Sequence, residues 1–106
     1  MSSRVKRHLP LLKWLSTVKP KEQKAVVRAL DKDALNAMHE CCVNILKGNV
    51  PLSGGQKQRL SRYKRVLRRL GGAKSVSAKR RLIQTGGFLG ALLTPIVQFL
   101  GHLLFK

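Results

Sequence analysis

The chain has 106 residues, enough for one small domain or a string of short helices, and carries 22 Lys and Arg against 4 Asp and Glu. A formal charge of +18 and a pI near 11.5 make a compact body self-repulsive, so a counter-charged partner is expected, nucleic acid or anionic lipid. Four acids and three histidines assemble no carboxylate pair and no nucleophile–base set, which argues against an enzyme and against a cofactor.

Charge divides the chain. Glu22, Asp31, Asp33 and Glu40 all lie in the first 40 residues, and from Cys41 onward there is no acid against 13 Lys and Arg. The first part is expected to balance itself with local salt bridges, and the second cannot. Three regions follow: an N-terminal helical region at 1–50, basic helices at 51–87 and a hydrophobic segment at 88–106.

Residues 1–8 read as a disordered basic arm. The opening MSSRVKRHLPLLKWL is basic and then apolar, but Pro10 and Lys13 interrupt it too early for a signal peptide. A short helix is expected from Leu9 to Thr17. Pro20 fits the first position of the next, with Glu22 favouring its N-terminal dipole. Asp31 or Asp33 can cap a third helix running to about Lys47 and stopping at Gly48-Asn49. In it Ala34, Leu35, Met38, Cys42, Ile45 and Leu46 form one apolar stripe at helical spacing. These helices predict a small hairpin core over about 9–47. Cys41 and Cys42 are adjacent and read as reduced thiols of an intracellular protein. With His39 they make three potential ligands on one helix, where the two thiols diverge by about 100°, so no metal site is expected.

Ser53-Gly54-Gly55-Gln56 is a capping-box pattern opening a helix that ends at Gly71-Gly72. Leu60, Tyr63, Val66, Leu67 and Leu70 line one side, which places Tyr63 with the core rather than on a base. The stretch SGGQKQRLS also resembles the signature of ATP-cassette proteins, but no GxxxxGK[ST] loop accompanies it. A linker from Ala73 to Val76 leads to a two-turn basic helix from Ser77, stopped by Gly86-Gly87. Between Ser53 and Thr85 stand 11 cations and no anion: Lys57, Arg59, Arg62, Lys64, Arg65, Arg68, Arg69, Lys74, Lys79, Arg80 and Arg81. Solvated helix faces ordinarily mix both signs. This one does not, and its chemistry is that of phosphate neutralisation with release of counterions. No zinc-finger spacing and no Asn or Gln among the arginines of the Arg-rich helix offers base readout, so binding without sequence preference is expected.

Phe88 to Phe105 is uncharged and lies at the lower length limit for a membrane span. On a helical projection Phe88, Leu89, Leu92, Leu93, Ile96, Val97, Phe99, Leu100, Leu103 and Leu104 fill the wider face, and Thr94, Gln98 and His102 a weakly polar stripe. The pattern fits a helix lying in the lipid interface. A transmembrane anchor held by Lys79, Arg80 and Arg81, and a core helix folded back on residues 9–46, are the other two readings. Pro95 either kinks this helix or, with Thr94 as cap, starts a second one. The expected fold is therefore all-α: four or five short helices, a small hairpin core, a loosely attached basic helix and a C-terminal amphipathic hydrophobic helix.

At KGNVPLS, the Arg-rich helix, and KRRLIQTGGFL with its apolar tail, over residues 40–95, the chain resembles the small basic proteins of adenovirus-like DNA viruses and of Polinton or adintovirus elements. The resemblance implies a virion core component that condenses DNA, found in the virion and host nucleus, with a membrane-active segment. It also implies a maturation protease as partner, cutting after paired glycines. Gly86-Gly87 supplies the glycines, whereas Gln84 stands where such proteases prefer Met, Ile or Leu. Outside that setting, the alternative is a tail-anchored membrane protein whose basic region meets anionic lipid.

Overall fold

Helix starts in this chain follow capping chemistry. The computed structural model describes residues 2–104; the side chains of His102, Leu103 and Leu104 lie outside the described residues. Among the described residues there are eight helices and no strand: α1 (Ser3–Arg7), α2 (Leu9–Thr17), α3 (Pro20–Ala29), α4 (Lys32–Leu46), α5 (Gly54–Ser61), α6 (Lys64–Gly71), α7 (Val76–Thr85) and α8 (Leu89–Leu104). Asp31 caps α4 through a 2.8 Å bond from the Ala34 N–H, and Pro10 and Pro20 occupy the first turns of α2 and α3, where an N–H has no helical partner. Ser53 and Gln56 close a reciprocal capping box on α5. The all-α class holds, with eight helices where four or five were expected.

Two extra helices and one shifted start have identifiable causes. The basic arm expected at 1–8 is helical because Ser2 caps α1 and Arg4 and Arg7 reach Asp33 on α4, at 3.0 and 3.7 Å. The single helix expected over 53–70 is two. The Arg62 and Tyr63 N–H groups bond the carbonyls of Arg59 and Leu60, closing α5 in a tighter i→i−3 turn before α6 begins. The break lets α5 lie against α8 while α6 lies against α4 and α7. The last basic helix starts earlier than expected because Ser75 caps it, accepting from the Ala78 N–H at 3.1 Å.

α8 is the largest correction. It is not a tail on a small hairpin; it packs along α2 and against α4 and α5. Phe88, Leu89, Leu92, Leu93, Ile96 and Leu100 are buried, and Val97 and Phe99 are half-buried against the same cluster. They share one core with Leu12 and Leu15 of α2 and Leu35, Met38, Cys41 and Cys42 of α4. The physical reason is area: helices this short are marginal alone, and the long apolar face of α8 is the best cover for α2 and α4. The chain reaches that position by a 103° bend between α7 and α8, where Gly87 takes φ +67°, a conformation costly to any residue with a Cβ. α8 runs through Pro95 without restarting, and the Thr94 hydroxyl bonds back to the Gly90 carbonyl at 2.7 Å instead of capping a new helix.

If α8 is part of the core, Leu92→Ala should lower unfolding stability by roughly 2–5 kcal/mol, measured by urea denaturation. A tail independent of the fold would leave the urea midpoint unchanged.

Candidate nucleic-acid interface

The capping box and the i→i−3 turn set where the cations of α5 and α6 point. Leu60, Leu67 and Leu70 are drawn into the core, and Lys57, Arg59, Arg62, Lys64, Arg65, Arg68 and Arg69 are all exposed. On α6 the exposed positions are Lys64, Arg65, Arg68 and Arg69, with no neutral or acidic residue among them. Lys74, in the turn before α7, and Arg81 are exposed as well. Tyr63 is half-buried, its ring 6.4 Å from that of Phe88 and tilted by 52°, so its aromatic face serves the α5–α6 junction.

No acid reaches this surface. Among the described residues the Lys and Arg ion pairs are Arg4 and Arg7 to Asp33, with the His8 ring 3.5 Å from the same carboxylate. Glu40 accepts a bond from the Ser2 hydroxyl and Asp31 is occupied as a cap. Asp31, Asp33 and Glu40 therefore fasten α1 and start α4. The pairs fall within residues 1–40, as expected, and converge on Asp33.

Two of the expected phosphate contacts have partners inside the fold. Arg80 Nη1 donates to the carbonyls of Val27, Arg28 and Leu30, at 3.2, 3.1 and 2.7 Å, at the C-terminal end of α3. These carbonyls lie at the negative end of the helix dipole; Val27 already accepts from the Leu30 N–H at 3.2 Å, and the guanidinium adds a charged donor to all three. Lys79 Nζ donates to Asn36 Oδ1 on α4 at 2.9 Å. Together they tie α7 to α3 and α4, and neither was distinguishable in sequence from the cations beside it.

The same contacts bring forward cations that the sequence reading left out. Lys21, Lys24 and Arg28 are exposed and spaced i, i+3, i+7 along α3. Gln84 Nε2 on α7 reaches the Lys24 carbonyl at 3.4 Å, and Arg80 reaches the Arg28 carbonyl. Exposed Arg81 thus sits on the helix beside that stripe. The spacing was legible, but Glu22 in the same helix assigned it to a self-neutralising region.

His39 and the two thiols are parts of the scaffold. His39 Nε2 is 3.1 Å from the Gly71 carbonyl at the end of α6, and burial, with Lys79 nearby, pushes its pKa below the usual value. The Cys42 thiol donates to the Leu67 carbonyl at 3.1 Å, and burial raises both thiols to about 12, so they stay protonated and unreactive. Gly86 is half-buried and Gly87 exposed, and the non-helical stretch that holds them ends at fully buried Phe88. A protease needing an extended strand there meets two helix ends and a core anchor. Comparison with protein-family models, curated proteins and solved structures gives no match to this chain.

The division of labour among the cations is testable. Arg80→Gln should cost about 1–3 kcal/mol in urea unfolding, because charged donors leave the α3 carbonyls. Arg81→Gln, next in sequence but exposed, should change stability by no more than about 0.5 kcal/mol.

Proposed function

We propose that the protein binds nucleic acid without sequence preference, through the cationic surface of α5 and α6, and neutralises it. The observation that carries this reading is α6, whose exposed residues are all Lys or Arg, with no acid paired to any of them among the described residues. An unpaired cationic ridge on a body of charge +18 is suited to phosphate rather than to a neutral ligand. The exposed stripe Lys21, Lys24 and Arg28 with Arg81 adds to the available charge. In this reading Arg80 and Lys79 hold the surface in place. A virion core component that condenses DNA is the setting the sequence resemblance suggests, and a cut at Gly86-Gly87 there would need the α7–α8 junction to open first.

Duplex DNA binding measured against salt tests the reading. With about six phosphates neutralised, log K should fall against log salt with a slope of roughly −5. Changing Arg62, Arg65, Arg68 and Arg69 together to Gln should flatten the slope by about half. A slope near −1, or strong preference for one sequence over its shuffled form, sinks the proposal.

The second reading gives the same cations to anionic lipid and α8 to the membrane. It is favoured by one observation: α7 and α8 together have the length and composition of a span broken by a bend of 103°, although no single helix among the described residues is long and apolar enough to cross. Against it stands the apolar face of α8, which fills the core and would have to leave it. Full-length protein added to anionic vesicles should bind without releasing trapped dye if only the cationic surface engages. Dye release, with loss of the folded core by near-UV circular dichroism, would assign α8 to the membrane.

A further inference from the structure

The apolar stripe of α4 was expected to be buried to its end, yet Leu46 is 42% exposed. It stands in a groove of about 170 Å³ with Ile45 of α4, Leu52 of the link after α4, Leu60 of α5 and Leu67 of α6. Lys57 and Lys64 line the same groove, and no acid does. A cavity near 150 Å³ lined by aliphatic side chains holds a benzene ring, so this one has room for a single leucine or phenylalanine side chain.

We propose that this groove docks an acidic, amphipathic segment of a partner protein, with one bulky apolar side chain seated beside Leu46 and carboxylates meeting Lys57 and Lys64. The two chemistries in the groove select the occupant together. A nucleic-acid backbone supplies the negative charge but nothing to fill a leucine-lined slot. A second copy of this chain supplies apolar side chains, but it brings 22 Lys and Arg against 4 acids to a rim that is already cationic. An acidic helix or strand with one large apolar residue satisfies both. The groove shares Lys57 and Lys64 with the surface of α5 and α6, so the occupant and nucleic acid exclude one another there. A chain this basic attracts any polyanion, and an acidic partner on that face restricts it until nucleic acid displaces the partner. Peptide docking itself does not rest on the nucleic-acid reading.

The test uses full-length protein and two labelled twelve-residue peptides read by fluorescence anisotropy. Both are rich in Glu and Asp. One carries Leu and Phe four residues apart, and the other has Ser at those places. The apolar peptide should bind roughly tenfold tighter at the same salt, the increment expected of one buried Leu-sized side chain. Leu46→Ser, at a position already half in solvent, and independently Leu52→Ser should each remove that preference. Neither changes net charge, so affinity for duplex DNA should stay as it was. Lys57→Gln with Lys64→Gln should weaken both peptides, and added duplex should displace them. Equal binding of the two peptides to the unaltered protein overturns the proposal and leaves only general attraction to a polyanion, without touching the nucleic-acid reading. If Leu46→Ser lowers affinity for anionic vesicles but not for the apolar peptide, the groove takes lipid and the proposal is equally overturned.

Discussion

Burial of the α8 face against α2 and α4 is the interaction the rest of the molecule depends on. The other helices run from 5 to 15 residues, lengths at which a helix in water is marginal without tertiary contacts. Many of their apolar residues, Leu12, Leu15, Leu35 and Met38 among them, are fully covered in one cluster with Leu92, Leu93 and Ile96 of α8. That contact must also offset the mutual repulsion of the 21 Lys and Arg among the described residues (the chain's 22 less Lys106), in a body with a radius of gyration of 12.5 Å. A charge-free helix is the element able to do so, since burying any of the basic helices would carry ammonium or guanidinium groups out of water.

With α8 inside, the charged residues sort by what surrounds them. Asp33 holds α1 through Arg4, Arg7 and His8, and Asp31 starts α4. Arg80 closes the end of α3, and Lys79 fastens α7 to α4. These few ionic and charge-assisted contacts connect elements far apart in sequence: Arg80 and Leu30 are separated by 50 residues. The cations left over include those on α5, α6, the stripe of α3 and Arg81, together with exposed lysines elsewhere such as Lys13, Lys19 and Lys47, and none of them has an ion pair among the described residues. An excess of this kind lowers stability through self-repulsion, and in the function proposed above the phosphates of nucleic acid offset it. Asp31, Asp33 and Glu40 therefore serve assembly, and the cationic surface is left uncompensated.

The apolar groove at Leu46 fits the same scheme. A surface dominated by long-range attraction has little means of choosing among anions, because unit charges at the rim of a protein interact weakly and non-specifically once screened. A leucine-lined slot beside two lysines adds short-range shape and apolar contact to that attraction. Selection then comes from the slot and attraction from the rim.

Much of the local structure was legible from residue type. Asp31, Pro20 and the Ser53–Gln56 pair begin their helices because capping involves a side chain and N–H groups within one turn, and no distant residue is needed. The all-α class and the uncompensated cations of the second half followed from composition and spacing in the same way. Tertiary structure alone decided which cations are free, since Arg80 and Arg81 are identical in type and adjacent in sequence. What separates them is the C-terminus of α3 lying beside one and not the other. It also decided the place of α8. A helix with one wide apolar face suits lipid or a protein core equally well by sequence, and in the fold α8 lies in the core because α2 and α4 present a complementary apolar surface that no single stretch of sequence contains.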